Sequence, residues 1–179
     1  VGLDSWEPYI KQAQKENKKI EYILDLAESF SLNEKFDTIV LSNLLEHVID
    51  PIAVLINCKK HLAKNGRIIV HVPNAESVTR RLGVLMGIID SLEYITEKER
   101  EYYGHKRVYT INSLCKDVVW AGLKVVEIGG VLYKPLPNEM LLKICKWQGE
   151  EWTEKFLQAL CKLGEDRSRE CADIYIVCK

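Results

Sequence analysis

The sequence lacks several features that would place it in a particular class of protein. Its six cysteines form no C-x-x-C pair, so their spacing favours buried thiols in a reducing compartment over a zinc or disulfide framework. No run reaches the roughly 18 apolar residues of a membrane span, and no signal-peptide pattern opens the chain. We therefore expect a cytoplasmic protein without a membrane span.

The chain also has no excess of charge of either sign. Its 25 basic and 26 acidic residues give a formal net charge of −1, which excludes a general electrostatic attraction to nucleic acid or to an anionic membrane. With 179 residues, the chain is long enough for a single domain with a substantial core. We expect no nucleic-acid partner.

Segments with strand-like and helix-like patterns alternate along the chain. This alternation predicts an α/β fold with a doubly wound, Rossmann-like and mostly parallel sheet. The last strand follows a long helical excursion, so we expect it to pair antiparallel. The predicted strands span 1–4, 20–24, 36–41, 67–72, 123–128 and 173–178, and the predicted core helices span 7–17, 51–63 and 112–121.

Local signals predict where several of these elements begin and end. Asp50 followed by Pro51 is typical of a helix N-terminus, and Asn65-Gly66 predicts the C-terminal cap of the same helix. Gly129-Gly130 is expected to end the strand before it. The segments 75–110 and 130–165 carry helical periodicity and are predicted to be insertions that form a lid beside the sheet.

The most informative run is FDTIVLSNLLEHV at residues 36–48. It is an apolar strand that delivers an amide, a carboxylate and an imidazole to one strand end, where ligands bind in open α/β sheets. The imidazole of His47 suits a general base, and the adjoining Glu46 suits its orientation or a contact with substrate. A role for His47 in capping or packing against the next helix is the alternative.

A second imidazole lies in the glycine-led polar loop GHKRVYT at residues 104–110. Loops carry functional residues more often than regular elements do, so His105 is a second catalytic candidate, with a loop-capping role as the alternative. Arg107 is expected to bind either an anionic group of the substrate or a surface carboxylate. No metal site is predicted from the spacing of the potential ligands.

Several motifs in order give the chain a family resemblance. The chain resembles the class I S-adenosylmethionine-dependent methyltransferases, and within them it looks like the ubiquinone-biosynthesis O-methyltransferases and the small-molecule tailoring enzymes. The motifs are GLDS at 2–5, an aspartate after the strand at 20–24, the run at 36–48 with its following Asp-Pro, and LAKNG at 62–66 leading into IIVHVPN at 68–74.

The resemblance implies S-adenosylmethionine as cofactor and methyl transfer to a small-molecule substrate, with oxygen as one candidate for the acceptor atom. It implies that Asp4 accepts hydrogen bonds from the ribose hydroxyls, although capping the following helix is an alternative role. It assigns Asp25 to the adenine amino group and Leu26 to the adenine ring, through its backbone N–H and an apolar contact. Ser42 and Asn43 would lie near the methionine part. A homodimer is a further possibility.

One hallmark of the family has no counterpart among these residues. The family's first strand ends in a glycine-rich turn, and no such strand and turn precede GLDS. We therefore expect one methyltransferase-like domain over 1–179 whose first strand and glycine-rich turn lie upstream of Val1. The alternatives are a partner chain that supplies the strand, or a non-catalytic binding or scaffold protein that keeps the fold and has lost cofactor binding.

Overall fold

The computed structural model describes residues 1–179 and has a mixed α/β architecture. Six strands and six α-helices follow one another along the chain. The strands are β1 (Gly2–Asp4), β2 (Tyr22–Leu24), β3 (Phe36–Ser42), β4 (Leu62–Pro73), β5 (Val125–Val131) and β6 (Asp173–Cys178). The α-helices are α1 (Glu7–Glu16), α2 (Pro51–Lys60), α3 (Val78–Leu85), α4 (Ile111–Trp120), α5 (Asn138–Gln148) and α6 (Glu150–Asp166).

The strands form two separate groups. β1 and β2 make a parallel pair, and the other four strands form a sheet in the order β3-β4-β6-β5. β3 and β4 are parallel, whereas β6 runs antiparallel to both of its neighbours. The predicted α/β fold and its antiparallel last strand are therefore confirmed.

The core lies between the four-stranded sheet and the helices α2 and α4. It comprises 19 buried residues, and residues 68–72 of β4 together with strand β6 supply its centre because both strands are paired on both sides. Fully buried side chains on α2 and α4, among them Leu55 and Leu114, close this layer. None of the helices combines the length and apolar character needed to cross a membrane.

The N-terminus of α2 is confirmed as predicted, but its C-terminus is not. The Asp50 carboxylate accepts from the backbone N–H groups of Ile52 and Ala53, each at 3.0 Å. The helix ends at Lys60, and the Asn65-Gly66 pair lies inside β4 rather than at a cap. The reason is close packing, because a Cβ at Gly66 would lie 2.8 Å from the carbonyl oxygen of Phe36.

The second glycine pair also has a packing role. Gly129 and Gly130 lie within β5 and do not end it. A Cβ at Gly130 would lie 2.4 Å from the backbone oxygen of Ser168, so the close approach of two backbone segments requires glycine there. The prediction that the pair ends the strand is wrong for this reason.

The segment 75–110 is less helical than its periodicity predicts. Regular helix is confined to α3 and to a short π-helix at Lys98–Tyr102. Gly87, which lies two residues after the end of α3, has a φ of +68°, the left-handed conformation that commonly terminates a helix. Several apolar side chains of this segment face solvent, including Leu85, which is 84% exposed. The lid role of this segment and of 130–165 stays a prediction.

Helix α2 also fixes the connection between β2 and β3. The buried Asn57 amide donates to the carbonyl of Phe30 at 2.9 Å, and His61 Nε2 accepts from the N–H of Leu32 at 3.0 Å. His61 therefore has a structural role in this connection. All six cysteines are free thiols, and Cys58, Cys171 and Cys178 are buried.

Candidate active site

The turn after β3 brings the first functional side chains to the edge of the sheet. Asn43 adopts a φ of +48°, and its N–H donates to the carbonyl of His71 on the neighbouring strand at 2.9 Å. Asparagine tolerates this left-handed conformation better than most residues. The chain turns sharply here, and Glu46 and His47 follow within the turn.

Arg107 ties this turn to the segment that follows the π-helix. One of its guanidinium nitrogens donates to the carbonyls of Leu45 and Val48, both at 2.6 Å, and the other donates to Ile49 at 3.0 Å. The adjacent N–H of Lys106 donates to the carbonyl of Glu46 at 2.8 Å. These bonds give Arg107 a positioning role in the turn, and its predicted contact with substrate stays a prediction.

Glu46 is a buried carboxylate without hydrogen-bond partners. It is 1% exposed, and neither of its side-chain oxygens has a partner in the protein. Burial raises its pKa from 4.5 to about 7, and the negative charge of Asp173 acts in the same direction while Arg107 opposes it. A carboxyl group in this environment can hold or release a proton near neutral pH.

Two imidazoles face this carboxylate. His47 Nε2 lies 3.7 Å from Glu46 Oε1, and the rings of His47 and His105 meet edge to face with their centroids 4.8 Å apart. The pKa of His105 is lowered, first by burial and then by the proximity of His47. Its Nδ1 atom is buried without a partner.

The arrangement permits two kinds of chemistry. Glu46, His47 and His105 offer one ligand atom each, all within 4.8 Å of one another, so they could hold a divalent cation such as Zn²⁺. The same groups could pass a proton among themselves as general acid and base. Sequence spacing predicted no metal site, because His105 is 58 positions after His47 and the fold alone brings them together.

An open cavity of about 610 Å³ adjoins this cluster at His105. It is lined mostly by polar residues, among them Asn74, Tyr103, His105 and Asp173. Arg80 stiffens its wall by pairing with Glu99 at 2.6 Å. Asp173, the first residue of β6, lines this cavity but was not among the residues predicted from the sequence. Its local sequence is the same as that of an ordinary aspartate in a turn before a strand.

Three of the residues assigned to the cofactor, Asp4, Asp25 and Leu26, lie at or directly after the ends of β1 and β2. Asp4 accepts from the N–H of Trp6 at 2.8 Å through one carboxylate oxygen. This bond closes a turn before α1, whose N-cap residue is Trp6 and which has no side-chain cap, so Asp4 does not cap the helix as the alternative expects. Asp25 accepts from the N–H of Leu26 at 2.7 Å, also through one oxygen. The two strand ends are adjacent, since the N–H of Asp25 donates to the carbonyl of Asp4 at 3.1 Å.

Two of these observations refine the assignments. The N–H of Leu26 is already used by Asp25, so it is not free to bind adenine in this conformation, whereas the Leu26 side chain is 55% exposed and available for an apolar contact. Ser42 Oγ lies 3.4 Å from His71 Nδ1 at the end of β3. The cofactor roles of Asp4, Asp25, Leu26, Ser42 and Asn43 stay predictions.

Comparison with known proteins identifies the family. Residues 2–128 match the family described as "Methyltransferase domain". A ubiquinone biosynthesis O-methyltransferase of Parvibaculum lavamentivorans is 28% identical over 172 residues, which cover 93% of this chain and 63% of the relative. One of Aeromonas salmonicida is 28% identical over 110 residues, covering 61% and 44%. The chain thus spans less than two thirds of the length of these curated relatives.

Solved structures share the fold. A methyltransferase from Mesorhizobium loti described as S-adenosylmethionine dependent has a TM-score of 0.62 at 13% identity, covering 99% of this chain and 78% of its own. A possible histamine N-methyltransferase from Thermotoga maritima has a TM-score of 0.61 at 19% identity, covering 99% and 71%. With a family match over most of its length, the chain belongs to the methyltransferase domain family.

Proposed function

We propose that this chain takes part in S-adenosylmethionine-dependent methyl transfer to a hydroxyl oxygen of a small molecule. The observation that carries the proposal is the buried Glu46 carboxylate against His47 and His105, beside a polar cavity at the strand ends. The names of the curated relatives, at 23–28% identity, favour oxygen as the atom that is methylated.

The side chains at the strand ends fit the cofactor that the family implies. Asp4 and Asp25 each use one carboxylate oxygen within the protein and keep the second for a ligand, and neither forms an ion pair. A carboxylate suits the ribose hydroxyls, and another suits the adenine amino group. When bound, S-adenosylmethionine supplies a methyl carbon on a positively charged sulfur.

The cluster at the end of β3 suits the acceptor. Methylation of oxygen requires the hydroxyl to lose a proton, and a positioned base accelerates this by roughly 10²- to 10⁴-fold. His47 is 35% exposed and therefore reachable, while Glu46 beside it, in its ionised form, stabilises the positive charge that the imidazole gains. The lowered pKa of His105 favours the neutral form of that ring.

The first test of the proposal is calorimetric titration of S-adenosylhomocysteine into the protein encoded by the whole gene. We expect Asp4→Ala to weaken binding by about 1.5–3 kcal/mol, the range for hydrogen bonds to charged groups, or roughly 10- to 150-fold. Asp90→Ala is the control, because Asp90 is exposed and distant in sequence from the strand ends. Unchanged affinity for the Asp4 variant would show that the ribose assignment is wrong.

The second test separates binding from chemistry. We expect His47→Gln to lower kcat on a hydroxylated acceptor by about 100-fold or more at an unchanged KM for the cofactor. The glutamine keeps a polar side chain of similar size but cannot take a proton at neutral pH. If kcat is unchanged while methyl transfer continues, a different group removes the proton or the acceptor atom is not oxygen.

A further inference from the structure

The polar cavity at the candidate active site is lined by three lysine or arginine side chains, and only one of them lacks an acidic partner. Arg80 pairs with Glu99 at 2.6 Å, and Lys98 pairs with Glu139 at 3.1 Å. Lys134 lines the same cavity and forms no ion pair. The positive charge of Lys134 is therefore left for something that enters the cavity.

Lys134 also keeps hydrogen-bonding capacity for a ligand. Its Nζ atom donates to the amide oxygen of Asn138 at 3.0 Å, and an ammonium group has three N–H donors. Asn138 is neutral, so this bond orients the lysine side chain without cancelling its charge. Lys134 is half-buried, whereas the side chain of Lys98 is 61% exposed. A partly desolvated cation attracts an anion more strongly than a fully hydrated one does.

The backbone next to Lys134 is held in an unusual conformation. Leu132, two residues earlier, has a φ of +60°, in the left-handed region that residues other than glycine rarely adopt. Its carbonyl accepts from the N–H of Ala172 at 2.9 Å, and the hydroxyl of Thr79 donates to the carbonyl of Lys134. Strain of this kind persists where the surrounding structure maintains it, and it is frequent at ligand sites. Two other segments of the chain thus fix Lys134 at the cavity.

Two further titratable groups of the lining suit a hydroxyl group rather than an anion. The pKa of His105 is lowered, first by burial, which favours the neutral imidazole. Asp173 has a carboxyl group whose pKa is raised by burial, against the opposing charges of His71 and Lys134. A ligand in this cavity therefore meets a cation at Lys134 and hydrogen-bonding groups at His105 and Asp173.

We infer that Lys134 binds a carboxylate group of the methyl acceptor, so that the acceptor is a small hydroxylated carboxylic acid. This inference rests on the proposed function, because it takes the polar cavity as the acceptor site. A volume of about 610 Å³ suits a small molecule, and an ammonium group forms a charge-assisted hydrogen bond with a carboxylate. The net charge of the chain is −1, so a preference for acids has to come from the cavity itself.

The test compares the binding of acids and of their uncharged amides. The protein encoded by the whole gene is titrated, in excess S-adenosylhomocysteine, with meta-hydroxybenzoate and with the longer meta-hydroxyphenylpropanoate, each beside its primary amide. The amide has nearly the same shape as the acid but no charge. Nuclear magnetic resonance titration measures the affinities. We expect at least one acid to bind at least about tenfold more tightly than its amide, as for a hydrogen bond to a charged group.

Three variants make the test specific to Lys134. Lys134→Met should remove the preference for the acid, whereas Lys134→Arg, which keeps the charge, should retain it. Lys98→Met removes a charge that is already paired at the same cavity, so it should also leave the preference unchanged. Equal binding of acids and amides by the wild-type protein would overturn the inference. A preference that survives in Lys134→Met would overturn it as well, and so would the absence of binding by any of the probes.

Methyl transfer to the same probes is measured separately. Binding of the acids that depends on Lys134, without transfer from S-adenosylmethionine, would support Lys134 as the anion site and count against the proposed function. Transfer to acids and amides at equal kcat/KM would support the proposed function and overturn the inference. The two failures are therefore distinguishable.

Discussion

Replacing the buried carboxylate Glu46 by glutamine should change how stability depends on pH. Burial raises the folded-state pKa of Glu46 from 4.5 to about 7, so between these values the unfolded chain loses a proton that the folded protein keeps. Stability therefore falls as pH rises through this window and is constant above it. At about 1.4 kcal/mol per pKa unit, the whole cost is about 3 kcal/mol.

Most of this cost, about 2.5 kcal/mol, develops between pH 5 and pH 8. Urea unfolding of the wild-type protein and of Glu46→Gln at both pH values measures it, because the variant lacks the titrating group and every other group is shared. We expect the urea midpoint of the variant, measured relative to that of the wild type, to be higher at pH 8 than at pH 5 by roughly 1 M. Glu93→Gln, at an exposed position, is the control. A wild-type-to-variant difference that is the same at both pH values would refute the reasoning.

Two further predictions concern stability. Arg107→Lys replaces the guanidinium, which reaches three carbonyls, by a single ammonium nitrogen that cannot reach all of them. We therefore expect the free energy of unfolding to fall by about 2–3 kcal/mol, seen as a Tm lower by roughly 4–10 °C. Arg81→Lys should change the Tm little, because the Nε of Arg81 donates to a single carbonyl. Equal Tm shifts for the two variants would argue against a special role of Arg107 in holding the turn after β3. Gly130→Ala should cost about 1–3 kcal/mol in urea unfolding, since its Cβ would meet the backbone of Ser168; an unchanged midpoint would show that the two segments can separate freely.

The elements that could be predicted from the sequence are those whose signals are local. Strand β3 was recognisable from its apolar run of consecutive residues. The N-terminus of α2 was recognisable because a capping residue, Asp50, is followed directly by a proline. The strand ends that carry Asp4 and Asp25 followed from the same patterns. Local patterns therefore located these strand ends, and the roles of the residues there stay predictions.

Features that depend on contacts between distant segments could not be read in this way. A glycine such as Gly66 is equally typical of a helix C-terminal cap and of a tightly packed strand. Only the close contact with the backbone oxygen of Phe36, which the sequence does not reveal, decides between the two. The contact of His47 with His105 depends on the path of the backbone that Arg107 anchors. The raised pKa of Glu46 likewise depends on burial that no local pattern reports.

The position of β6 has a consequence for how the protein is made. β6 lies between β4 and β5 and bonds to both of them, although it is formed by residues 173–178. β4 and β5 do not pair with each other. During synthesis they can be joined in one sheet only after β6 has left the ribosome. The four-stranded sheet can therefore form only after residues 173–178 have been synthesised, and until then the facing edges of β4 and β5 are open to association with other chains.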